Sequence, residues 1–264
     1  MKLARIFVLF FLCSCSQNTT EVSKLSQIPK EDRLRIEKLF SNLIWDETFA
    51  YVLFGNKPMS VCDQNKMYSP SGIERGPDPT YELESLWRTW EKYAHLFPMS
   101  EFIFLTEGNE NYFEVCLLNK SNCLKVIEKN LNLFQTKTGQ NLNAREMLDY
   151  ILANANGDMY KKSLNKSQGL YGILLGFGTE NSLGYESYLS VKRGPLPPET
   201  AQHIDLEDPI SPIIPCFASF SDEETRNLRE NYQKQRKEIL KIYSKGNFLE
   251  TTINRLTTQN SDGG

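Results

Sequence analysis

Histidine is almost missing from this chain, with two in 264 residues. That scarcity argues against the His-rich zinc sites, and the HExxH pair is absent. The G-x-S-x-G elbow of serine hydrolases is missing, as is a glycine-rich phosphate loop ending in Lys-Ser or Lys-Thr. No C-x-x-C spacing marks a redox pair or a zinc ribbon. Basic charge is not in excess either. The formal charge is −3, and it becomes −5 once Lys2 and Arg5 are set aside with the first 14 residues. A mildly acidic chain has no electrostatic footprint for nucleic acid. No apolar run approaches the roughly 20 residues that span a bilayer as a helix.

What the chain does have begins at its start. Lys2 and Arg5 precede an unbroken apolar segment, Ile6 to Leu12, which stops at two closely spaced cysteines and then turns polar. Its length fits the apolar region of a secretory signal, about 7–15 residues. Leu12, Cys13, Ser14 and Cys15 resemble the lipobox of bacterial lipoproteins: Leu three before the acceptor, a small residue just before it, and the cysteine itself. Cys13 departs from the Ala, Ser or Thr more common there. The resemblance implies cleavage between Ser14 and Cys15 and fatty acylation of Cys15 by more than one palmitate-like chain. Each buried methylene contributes about 0.8 kcal/mol, so one chain binds marginally and two hold firmly. The implied location is the bacterial cell envelope, with the body in the periplasm or at the surface. Ser16, rather than Asp, after the lipid cysteine favours the outer membrane. Residues 1–14 are thus read as a signal peptide and 15–29 as a polar linker. The ends of such a linker lie roughly 20 Å apart. Residues 30–256 form a single globular domain in this reading, and 257–264 a disordered tail.

Within the body, Glu31 to Trp45 has helical spacing, with Ile36, Leu39, Phe40 and Leu43 on one side. Apolar residues flank Gly55-Asn56, a pair suited to a two-residue turn, so a β-hairpin is expected over 48–62. Pro58 places its returning strand near an edge. Leu83, Leu86, Trp87, Trp90, Ala94 and Phe97 make a helical stripe read as core, not as a sugar platform. A second hairpin is expected over 101–118. The C-terminal half is rich in helix. Asn143 and Glu146 suit a capping box, and Gly172 and Gly176 suit close helix packing. Six of the twelve prolines fall in 194–215, with a short strand expected at Ile213–Phe220. A charged helix then runs from Asp222 to about Ser244, with acids early and bases late. The fold class is α+β: an antiparallel sheet of two hairpins with packed helices and a helix-rich C-terminal half.

Candidate chemistry is sparse. His95 lies near the end of the Trp-bearing helix, and His203 sits among Asp205, Glu207 and Asp208, a solvated acidic loop without a second histidine. No metal site and no cofactor is expected. Four body cysteines, Cys62, Cys116, Cys123 and Cys216, allow three complete pairings or burial as thiols. Cys116 should share a strand face with Tyr112 and Glu114. Cys123 lies seven residues on, so a local Cys116–Cys123 bridge is within reach of the spacing, leaving Cys62 and Cys216 to pair or stay thiols. The reading is a membrane-tethered envelope lipoprotein that binds an envelope protein or a small ligand, and no nucleic acid. The alternative is a lipid-anchored hydrolase, using a thiol with His203 or a pair of carboxylates.

Overall fold

The computed structural model describes residues 24–65, 79–109, 112–155, 159–191 and 212–258. The class is α+β, with a three-stranded antiparallel sheet and a helix-rich C-terminal half. Helix α1, Lys30–Ser41, begins at Pro29 with Glu31 and Asp32 in its first turn, and it buries Ile36, Leu39 and Phe40. Acids there complement the positive end of the helix dipole. A π-helical turn, Asn42–Asp46, carries the expected helix on to its end.

The first hairpin does not form. Phe49–Leu53 is a short helix, α2, and all five of its residues are buried. Strand β1 follows at Met59–Asn65. An apolar run with no polar face has no period that separates strand from helix, and burial on every side decides the outcome. Gly55 serves close approach here: a Cβ on it would lie 2.7 Å from the Tyr51 carbonyl oxygen and would strike Gln235. β1 pairs instead with a strand from the second hairpin, which forms as expected from β2, Phe102–Asn109, and β3, Tyr112–Asn119. The order is β1-β3-β2, so the strand after Pro58 is an edge strand.

Alternation along β3 sends its side chains into two cores. Phe113, Val115 and Leu117 join the larger one, with α1, α2 and helix α3, Pro79–Tyr93. Trp90 packs there edge-on to Phe40 at 5.1 Å and stacks on Phe97 at 5.7 Å. It is 1 % exposed, so it is packing and not a sugar platform. Cys116 and Leu118 join the second core. Its cover is a run of short helices: α4, Lys120–Lys129; α5, Leu131–Thr138; α6, Ala144–Ala153; α7, Met159–Lys162; and α8, Gln168–Leu174. The capping box of Asn143 and Glu146 starts α6 as expected.

Helix α9, Thr179–Val191, crosses α8 closely. A Cβ on Gly172 would sit 2.7 Å from the Ser182 hydroxyl oxygen, so glycine is what lets the two helices approach this closely. The stretch 212–220 holds an isolated bridge at Ala218 in place of the expected strand. Helix α10, Asp222–Tyr243, starts on Ser221 and lays Tyr232 and Ile239 against the larger core. Helix α11, Phe248–Thr257, which the sequence pattern did not suggest, buries Leu249, Ile253 and Leu256. No described helix is long and apolar enough to cross a membrane.

Candidate functional site

The second face of the sheet changes character along its length. At one end Leu118 lies between Met59 and Ile103, and Cys116 between Val61 and Leu105. Two residues further along β3, Glu114 stands opposite Glu107 of β2, with Asp63 of β1 at the register position on its other side. The next row pairs Tyr112 with Asn109. Apolar cover therefore ends where the carboxylates begin.

Helices α7 and α8 close over this end. The turn between them puts Asn165 and Lys166 in the left-handed region, at φ 49° and 59°. Non-glycine residues avoid that region unless their surroundings hold them. Here the Lys166 N–H donates to the Tyr160 carbonyl at 2.9 Å, and the Asn165 amide donates to the Lys137 carbonyl at 3.2 Å. The same turn fixes a ring. The Tyr160 hydroxyl donates to the Lys166 carbonyl at 2.7 Å and accepts from the Gln168 amide at 2.9 Å. Tyr160 meets Tyr171 edge to face at 5.7 Å. The Tyr112 hydroxyl donates to the Glu114 carboxylate.

Two cavities open here. One, of about 400 Å³, is walled by Glu107, Tyr112, Glu114, Tyr160, Gln168 and Tyr171. The other, of about 350 Å³, has Lys57, Ser60, Glu114, Tyr171, Phe177 and Cys216 in its wall. Glu114 and Tyr171 line both, so the two lie side by side across the end of the sheet, and together they make up its trough.

Lys57 lies at the inner end of this trough and is 1 % exposed. Its ammonium donates to the Leu175 carbonyl, at the C-terminus of α8, and lies 5.0 Å from the centre of the Phe177 ring. Both contacts suit a cation. Burial nevertheless pushes the amine down to about 7, against a smaller opposing effect of Cys116. Elsewhere in the wall of the same cavity, the hydroxyls of Ser60 and Thr48 share a hydrogen bond of 2.6 Å.

A larger cleft, about 730 Å³, lies on the other side of the α8–α9 turn, along the first half of α10. Asn56, Asn130, Asn227 and Asn231 line it. Several of its groups are engaged within the protein. Asn231 donates to Asn56, Thr179 donates to Asn130, and the Glu224 carboxylate accepts from the Thr179 and Asn181 N–H groups, each at 2.8 Å. Glu224 thereby caps α9 from another helix.

The residues singled out from sequence lie elsewhere. Ser14, Cys15 and His203 fall outside the described residues, and His95 sits in a short 3₁₀ turn after α3. Cys116 and Cys123 meet in the second core, yet all four body cysteines are thiols in the structure. The Cys123 thiol donates to the Pro58 carbonyl at 3.3 Å. Burial pushes Cys116 well up and Cys123 up to about 12, so both stay protonated and unreactive near neutral pH. Among the described residues, no group of three or more His, Cys, Asp or Glu could hold a metal ion. The trough was missed in the sequence, although one signal for it was present: the hairpin register around residues 110 and 111 sets Glu107 opposite Glu114. Set against protein-family models, curated proteins and solved structures, the chain matches none.

Proposed function

We propose that this protein is a membrane-tethered lipoprotein of the bacterial envelope, held by acyl chains on Cys15, whose body is a binding module with its ligand site in the trough. The tether rests on Leu12-Cys13-Ser14-Cys15. The ligand site rests on one observation, the two cavities that meet at Glu114 and Tyr171. Convergent polar ends and rings on a wall that is already hydrogen-bonded are what a small-ligand site needs. Tyr160 is held by two such bonds before any ligand arrives.

Two measurements test this reading. Expressed in a bacterium, the wild type takes up labelled fatty acid and Cys15→Ala does not; label retained on Cys15→Ala refutes the anchor. For the ligand site, the full chain is labelled with fluorotyrosine, and its signals are assigned by single Tyr→Phe changes. Small-molecule extract of envelopes should shift Tyr112, Tyr160 and Tyr171. Shifts confined to other tyrosines refute the trough.

Lys57 favours a second reading, the lipid-anchored hydrolase. An amine at about 7 is partly neutral at physiological pH and can take a proton from a hydroxyl brought within reach. Ser60 lines the same cavity, and this reading requires the amine to leave the Leu175 carbonyl and reach the Ser60 hydroxyl. A fluorophosphonate reagent should then label Ser60 in the wild type and not in Lys57→Met. An unlabelled wild type sets the hydrolase aside.

A further inference from the structure

We propose that Lys57 is a covalent anchor for a carbonyl ligand, its amine condensing with a small aldehyde in the cavity of about 350 Å³ to form an imine. The inference rests on the trough being the ligand site, and it names the bond that holds the occupant.

Three observations place a nucleophile there. The first is position. Lys57 lines the cavity, and so do Leu175 and Phe177, the two residues that its ammonium touches. The nitrogen is therefore held at the cavity wall, while the residue as a whole is 1 % exposed. The second is the lack of an ion pair. Lysine is almost never fully buried unless paired. Among the described residues, however, this amine has a backbone carbonyl and a ring for company and no carboxylate. A carboxylate would fix the proton on nitrogen. A neutral amine can donate one N–H to the Leu175 carbonyl and still keep its lone pair. The third is protonation: burial pushes the amine down to about 7, so much of it is neutral where ordinary lysines are charged.

The condensation closes without any other reactant. The nitrogen lone pair forms a C–N bond to the carbonyl carbon, and the oxygen leaves as water with both amine protons. Nothing is oxidised or reduced. Once protonated, the imine keeps one N–H for the Leu175 carbonyl and sets its charge against the Phe177 ring. The two contacts of the ammonium thus suit the product as well. The remainder of the ligand meets Val61, Leu175, Phe177, Ile213 and Pro215 in the same wall, so an aliphatic aldehyde is the class that fits.

The probe is butanal. The full chain in detergent micelles is treated briefly at pH 7 with butanal and sodium cyanoborohydride, and butylated lysines are located by peptide mass spectrometry. Hydride from the reagent turns each imine into a stable secondary amine. Exposed lysines are almost wholly protonated at this pH. Lys57 should therefore be butylated at least about tenfold faster than they are. In concentrated urea the advantage should vanish, because it belongs to the fold. Butylation of Lys57 no faster than that of exposed lysines overturns the anchor. An advantage that persists in urea overturns it too, since it would come from the local sequence and not from the cavity. If the anchor fails while envelope extract still shifts Tyr171, the trough stands as a site that binds without a covalent bond. If the anchor fails and the extract shifts none of Tyr112, Tyr160 and Tyr171, the trough falls with it. The assay needs no variant, so misfolding cannot mask the result.

Discussion

On one face of the sheet, Phe113, Val115 and Leu117 are buried in an apolar core that includes Trp87, Trp90, Phe97 and Phe102. On the other face Leu118 and Cys116 do the same, but Glu114 and Tyr112 then take their places in the same alternation. Along β3 the first face is buried from Phe113 to Leu117. The second is closed for half of its length and then opens onto a trough with a buried amine at its inner end. One strand thus supplies stability from its odd-numbered residues and a ligand surface from part of its even-numbered ones. The same substitution should therefore have unlike consequences on the two sides.

The largest effect belongs to the closed face. Trp90→Ala empties a site that is 1 % exposed and walled by Phe40 and Phe97. Such a change costs about 3–5 kcal/mol. Tyr160→Ala, on the half-buried wall of the trough, should cost a small fraction of that, since it loses two hydrogen bonds and one ring contact at a solvated edge. Urea unfolding of both variants measures the difference. Comparable losses would mean that the trough wall is as much core as the aromatic face, and the contrast would be void.

The closed face is also the part that the sequence made legible. The stripe from Leu83 to Phe97 and the 101–118 hairpin each have a clean period, and period is what a sequence displays. Phe49–Leu53 has none, being apolar in every direction, and it folded as a helix where a strand was expected. The open half was hidden for other reasons. Its wall joins β2 and β3 to α7 and α8, roughly 50 residues further along the chain, and only the tertiary fold brings them together. Lys57 reads as a solvent residue because lysine is seldom buried. Its burial follows from the α8–α9 turn folding over it, with Gly176 at φ 77°. The lipobox was legible without any fold, because it is a linear signal.

Lys57 provides the second test of the contrast. In the unfolded chain its amine titrates in the ordinary lysine range near 10.5, and in the folded chain near 7. Below about pH 7 both states are protonated, and the folded state carries the full cost of the buried charge. Between the two values the unfolded state holds a proton that the folded state has released, so stability rises with pH by about 1.4 kcal/mol per unit. The buried thiols and tyrosines pull the other way at high pH, but they are common to wild type and variant. Plotted as wild type minus Lys57→Met, unfolding free energy should therefore climb from pH 7 to pH 9. Parallel curves would show that the amine stays charged under the Leu175 carbonyl, and the hydrolase reading would lose its base.

The smallest effect bears most directly on why the second face opens. Glu107 and Glu114 sit opposite each other across β2 and β3, and like charges in that position destabilise a sheet, here by about a few tenths of a kcal/mol. Glu107→Gln keeps the shape and the hydrogen-bonding reach while removing one charge. It should stabilise the unliganded protein by that amount. The gain should shrink in 1 M salt, where the screening length falls to about 3 Å. A loss on the same substitution, at low salt, would mean that Glu107 holds a stabilising partner and that the pair stores no repulsion. On the closed face no charge change could behave this way, because every side chain that β3 sends there is already packed against apolar neighbours.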